Sequence, residues 1–290
     1  MISLTLPGRS ARTLPTRRRT GRLNGTLLVG LVLLALLVLA AICAPLITSA
    51  DPIAQDLTKA LLPPGSPGHL LGTDRLGRDV WTRLAFGARV SLGVGLLGVS
   101  LSVLIGVLVG GVAGASRGVV SRGLLAVTDF ALALPRVVLL LLLATLWAPG
   151  VLLVVIVLGV TGWMPVARLV HGEVRKLMAQ PFVESAVAMG ASRSRVLGRH
   201  VLPNAMTPVI AAAALGVGNA ITLEAGLSFL GVGVQPPAPS WGGMIASGRD
   251  ALINAPWVAI APGVALVLVV VACTLVGDAL QARTPAQPGN

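Results

Sequence analysis

Six stretches of this chain are almost unbroken apolar sequence, and polar segments of very unequal length separate them. The apolar runs fall at about 26–47, 90–114, 124–146, 151–169, 205–230 and 258–280. A helix rises 1.5 Å per residue, so the first run alone reaches about 33 Å, enough to cross the hydrocarbon core of a bilayer. The pattern predicts an all-α integral membrane protein with six transmembrane helices. A basic leader before an apolar run also describes a secretory signal, but the apolar part of a signal is usually about 7–15 residues. Leu39-Ala-Ala-Ile-Cys43 has the outline of a lipoprotein cleavage site, yet Ile42 is too bulky beside the cysteine. The first run is therefore read as a retained span.

The polar segments divide the rest. Residues 1–25 form a basic tail and 26–47 the first span. Residues 48–88 are an insert rich in Pro and Gly, in which Thr73 or Asp74 can cap a short amphipathic helix through Trp81 and Phe86, lying in the membrane interface. Residues 89–283 hold the remaining five spans, interrupted by a polar segment at 181–204 and a second insert at 231–257, and 284–290 are a polar tail. Composition agrees: the chain is 55% hydrophobic and 11% charged, against roughly 25% charged in soluble domains.

Charge sets the orientation. With the N-terminus inside, the tail contributes six basic residues, the 117–122 loop two, the stretch from Arg168 to Arg199 six, and Arg283 one. The two inserts then face outward with four and one, each offset by acids. The reverse arrangement violates the positive-inside rule. Both termini and 181–204 are thus expected in the cytoplasm. The net charge of +12 serves topology and calls for no nucleic acid, because the aromatics needed for base stacking are scarce. Cys43 and Cys273 both lie in apolar runs without metal-ligand spacing.

The cytoplasmic stretch 181–204, PFVESAVAMGASRSRVLGRHVLPN, has its own grammar. Pro181 suits the first turn of a helix, and Gly190 can end it in the left-handed conformation. Ser192 can cap a second, basic helix carrying Arg193, Arg195 and Arg199, and Pro203 is expected to close the stretch before the next span. No Gly-Lys-Ser/Thr phosphate loop exists, since the two lysines, Lys59 and Lys176, follow Thr58 and Arg175. No nucleophile elbow or metal signature appears either, so the chain does not read as an enzyme.

Ionisable residues within spans point to function in membrane proteins. Here they are Arg89, Asp129, Arg136, Glu224 and Asp278. For Glu224 the sequence leaves three roles open: interhelical hydrogen bonding, lining a path, or relaying protons. Asp129 lies near an inner end and shares a helix face with Arg136, but about 10 Å along the axis is too far for a simple bond between them. Gly106, Gly110 and Gly114 recur every four residues, which permits close helix approach within the chain or between subunits.

At 181–204 the sequence resembles the EAA loop of binding-protein-dependent ABC transporter permeases. Glu184-Ser185-Ala186, Gly190 and Leu202-Pro203 carry the match, with Ser185 in place of an alanine and His200 at a position that is usually apolar. Three further stretches, Gly72-Thr-Asp-Arg-Leu-Gly-Arg-Asp79, Leu227-Ser-Phe-Leu-Gly-Val-Gly233, and Gln235-Pro-Pro237 with Trp241-Gly242, resemble the C-type permease of the dipeptide, oligopeptide and nickel subfamily. The resemblance covers about residues 26–283.

It implies a type I ABC importer permease fold in a prokaryotic cytoplasmic (inner) membrane, with a cytoplasmic coupling helix. It also implies a second homologous permease subunit, two ATP-binding subunits that hold ATP and Mg, and an extracytoplasmic substrate-binding protein. Peptides are the first substrate class implied, with nickel or another small solute as alternatives. Glu184, Ser185, Ala186, Ala188, Gly190, His200, Leu202 and Pro203 become the expected ATPase-coupling residues. Glu224 and Asp129 are the expected pathway or interhelical residues. A self-contained secondary transporter or channel, or a membrane scaffold, are the competing classes.

Overall fold

A computed structural model describes residues 20–283, so the arginines at 9–19 and the tail at 284–290 lie outside the described residues. Eleven α-helices make up the described part. They are α1 (Thr20–Ile42), α2 (Ala44–Ile47), α3 (Val80–Ala115), α4 (Val119–Ala133), α5 (Arg136–Leu146), α6 (Val151–Met178), α7 (Pro181–Ala188), α8 (Arg193–Val196), α9 (Leu202–Phe229), α10 (Trp241–Gly248) and α11 (Trp257–Gln281). Five helices are long and apolar enough to span a membrane, and there are six if the bent pair α4 and α5 counts as one span. Many large apolar side chains, such as Leu36, Leu104, Leu108 and Val267, are exposed on their outer faces, as expected where lipid replaces water.

Three boundaries differ from the sequence expectation. The first helix already begins at Thr20, with its apolar span starting at Gly25, and it breaks at Cys43, after which Pro45 sits in the first turn of α2. No separate interfacial helix exists through Trp81 and Phe86. Those residues are the first turns of α3, a continuous helix of 36 residues and about 54 Å. The cap is Asp79, whose carboxylate accepts from Thr82 N–H at 2.7 Å, and not Thr73 or Asp74. The third difference is the run at 124–146, which bends by 86° between α4 and α5. Leu134 precedes Pro135 and is forced out of helical geometry (φ −75°, ψ 133°).

Small residues hold the membrane core together. α3 lies against α6 along Gly98, Gly106, Gly110 and Gly114. A Cβ at Gly106 would come within 2.6 Å of Val166 Cβ, and one at Gly114 within 2.8 Å of Val174 Cβ. The glycine stripe therefore serves packing within this chain. α9 packs on α3 and α11, and α1 packs on α11, where Gly30 meets Leu275.

The insert at 48–88 is an ordered knot at the N-terminal end of α3. Asp74 is its centre. It accepts from Leu76 N–H and Arg78 N–H at 2.9 and 3.1 Å and from Arg78 Nε at 2.7 Å, and Arg83 Nε stands 3.7 Å away. Gly77 and Gly72 have φ of +69° and +73°, and each lies against backbone where a side chain would collide. His69 Nδ1 contacts Asp79 at 3.0 Å. Trp257, at the start of α11, donates from Nε1 to Thr73 C=O, and Arg75 donates to Asp250 C=O. The two inserts are thus latched to each other.

Outward placement of the inserts has a direct check. Ser240 is buried and caps α10, so it is a poor labelling site, whereas Ile253 in the same insert is 97% exposed. In a background lacking Cys43 and Cys273, Ile253→Cys is expected to react with an impermeant maleimide in intact cells. Labelling only after permeabilisation would reverse the topology.

Candidate functional site

The site at 181–204 is built by local rules. α6 ends at Met178, and the turn that follows delivers Gln180 in extended geometry, as a residue before proline must be. Pro181 opens α7. At the other end Gly190 has φ +90°. Its N–H donates to Val187 C=O at 2.9 Å, and Ala191 N–H donates to Ala186 C=O at 3.1 Å. This pair of bonds is a Schellman motif, accompanied by apolar packing of Ala186 and Ala191 in one cluster. Ser192 then caps α8 by accepting from Arg195 N–H.

One side of α7 is anchored and the other is presented. Val183 is buried with Val170 and Val174 of α6, Val196 of α8, and Val201, Ala205 and Val209. Phe182, Glu184, Ser185, Val187, Ala188 and Met189 are exposed, Met189 by 83%. Beside the helix runs a groove of about 530 Å³, lined by Glu184, Val187 and Ala188 together with Arg117, Arg175 and Arg193. A short helix clamped at both ends and rooted in two long helices moves only as a rigid piece with them. That is the mechanical requirement for passing force between a membrane core and a partner.

The remaining expected coupling residues lie elsewhere. His200, Leu202 and Pro203 do not line the groove. Pro203 does not close the stretch. α8 runs on through a π turn at Leu197–Val201 into α9, and Leu202 N–H donates back to Leu197 C=O. The widened turn absorbs the clash and the missing donor that proline would impose on a regular helix. His200 is exposed, and Leu202 packs against Gly111 of α3. Arg117, Arg175, Phe182 and Met189 were not singled out in the sequence. The seven-residue spacing of Phe182 and Met189, two helical turns, was the available signal.

Glu224 and Asp129, two of the membrane acids, are each bonded within the chain. Glu224 is fully buried. Its two oxygens accept from Ser91 of α3 at 3.1 Å and from Ser228 at 2.8 Å. Ser91 in turn accepts from Trp241 N–H, and Ser228 from Val234 N–H. The carboxylate thus ties α3, α9 and the second insert together, and of the three open roles the geometry favours interhelical bonding. Glu224→Gln is expected to keep uptake within about threefold, because an amide still serves both serines. Glu224→Leu strands buried hydroxyls at about 1–3 kcal/mol each and should lower the melting temperature in detergent. Loss of uptake in Glu224→Gln without loss of melting temperature would instead favour a relay. Asp129 is half-exposed and pairs with Arg168 of α6 at 2.6 Å, and not with Arg136.

Comparison with known proteins decides the family. Residues 103–284 match the family described as binding-protein-dependent transport system inner membrane component. The chain belongs to this family. Residues 22–64 also match the N-terminal TM domain of oligopeptide transport permease C. Relatives include the oligopeptide transport system permease protein OppC of Bacillus subtilis, 36% identical, with 90% of this chain and 85% of that protein covered. The di/tripeptide transport system permease protein DppC of Pseudomonas aeruginosa is 38% identical, with 89% and 87% covered. The fold is similar to that of a chain in the inward-facing MetNI methionine ABC transporter, with a TM-score of 0.58 and 20% identity over 70% of this chain and 97% of that one. The protein is accordingly an inner-membrane permease subunit of an ABC importer, with a type I permease fold, and is not itself an enzyme.

Proposed function

We propose that this permease subunit forms, with a second homologous permease, the transmembrane path for di- and oligopeptides. The peptide systems named among its relatives support that substrate class. Two ATP-binding subunits dock from the cytoplasm and carry the ATP and Mg, and an extracytoplasmic binding protein delivers the substrate.

The observation that carries the coupling assignment is α7 itself: anchored by Val183, closed by Gly190, and presenting Phe182, Glu184, Ser185 and Met189 beside a basic groove. Glu184 offers a carboxylate to a cation on an ATPase subunit, Ala188 and Gly190 keep the backbone close to whatever seats there, and Ala186 packs inward to hold the helix in place. Arg117, Arg175 and Arg193 complement acidic partner residues. Leu202 supports the loop from behind, and His200 and Pro203 shape its return to the membrane.

The substrate class is tested on the cognate binding protein. Calorimetric screening is expected to give tight binding of di- to pentapeptides. Tight binding of nickel or of another solute, with no peptide affinity, would replace the peptide reading while leaving the permease role intact.

A further inference from the structure

Arg136 is a charge within the spans that neither the packing nor the coupling helix explains. It opens α5 directly after the Leu134-Pro135 bend. The bend turns its side chain into a cleft of about 250 Å³ between α3, α6 and α9, which Ser102, Gly162 and Asn219 also line. Gly162 makes the room, since a Cβ there would stand 3.2 Å from a terminal nitrogen of Arg136. Gly162 lies eleven residues inside the outer end of α6, about 17 Å along its axis, so the guanidinium sits at membrane depth.

A cation at that depth is costly and needs a partner. Arg136 Nε is shielded from solvent and has no hydrogen-bond partner among the described residues. No Asp or Glu lines the cleft. Two of the acids within the spans are already engaged elsewhere, Asp129 by Arg168 and Glu224 by two serines.

Resting on the peptide reading above, we propose that Arg136 is an anion-binding residue of the transport path, and that the cleft receives the C-terminal carboxylate of a passing peptide. A planar guanidinium fork matches a carboxylate with two parallel hydrogen bonds. The cleft is smaller than the roughly 300–1,000 Å³ that holds a whole drug-sized ligand, so it fits the end of a chain. Asn219 is exposed at the cleft's rim, on hand for the last peptide group. Small walls at Gly98, Ala212 and Gly216 keep the space open. A structural ion pair would need no such space.

The test uses the whole importer in proteoliposomes with its binding protein. A tripeptide and its C-terminal amide are compared, each above its measured dissociation constant for the binding protein, and uptake is read beside ATP hydrolysis. The parent is expected to move the free acid at least tenfold faster than the amide. Arg136→Gln should cut uptake of the acid at least tenfold and of the amide less than twofold, with Arg136→Lys between them. Subunit co-purification and ATP hydrolysis should stay within twofold. Equal loss for acid and amide, or a complex that falls apart as pairing with a carboxylate of the second permease requires, would overturn the proposal alone. A binding protein without peptide affinity, read before any Arg136 variant, would overturn the peptide reading and this proposal together.

Discussion

Gly190→Pro is expected to abolish transport, at least tenfold below the parent, while the chain still reaches the membrane in normal amount. Proline holds φ near −65° and has no N–H, whereas position 190 needs φ +90° and donates to Val187 C=O. The Schellman closure of α7 is therefore lost in both respects. Val183 keeps its place in the cluster beneath, so the damage stays in the exposed end carrying Ala188 and Met189. Uptake and membrane content measured on the same vesicles check this. Uptake near the parental rate would show that the closed end of α7 carries no force. Gly190→Ala should lie between, because alanine tolerates positive φ poorly but keeps the donor.

The second large effect belongs to the outer knot. Asp74, Arg78 and Arg83 are all buried, and removing one member of a buried ion pair costs about 3–5 kcal/mol because it strands the other charge. Folded domains are stable by roughly 5–15 kcal/mol, so Asp74→Ala should take away a large share of the whole. The expected readout is a sharp fall in membrane-inserted chain and rapid proteolysis from the outside. Asp74→Ala with Arg78→Ala should recover part of the loss, since one of the two stranded cations is then gone. A double variant no better than the single one would mean that Asp74 acts through its backbone bonds to residues 76 and 78 and not through charge.

Much of the coupling site was legible because its rules are local. Pro181, Gly190 and Ser192 each dictate one backbone state, and together they spell a helix start, a helix end and a new cap. The span count was legible from hydropathy for a similar reason. What hydropathy misses is where helices begin, end and bend. The N-terminal end of α3 is set by the Asp79 carboxylate and the knot around Asp74, not by the start of an apolar run, so a continuous 36-residue helix read as an interfacial piece and a span. Pro135 was a visible signal for the bend between α4 and α5, but the apolar run continues across it. Pro203 was read as a stop because the π turn that accommodates it has no sequence mark of its own. The partners of Asp129 and Glu224, Arg168 and Ser91, are 39 and 133 residues away in sequence. Such contacts follow from helix packing, which the glycines of α3 make possible but do not specify. The cleft at Arg136 depends on the bend and on Gly162 together, and neither residue alone announces it.

The central claim is that α7 is the seat of an ATP-hydrolysing subunit. Cysteine cross-linking tests it most directly. Met189→Cys, in a chain lacking Cys43 and Cys273, places a thiol on a position at the helix end that is 83% exposed. With a short bismaleimide and single cysteines scanned over the ATPase surface, Met189→Cys is expected to cross-link to the ATPase subunit. The yield should change when ATP is bound, and Glu184→Arg should reduce it severalfold. Absence of any ATPase cross-link from Met189, in complexes that still hydrolyse ATP and take up substrate, would contradict the account.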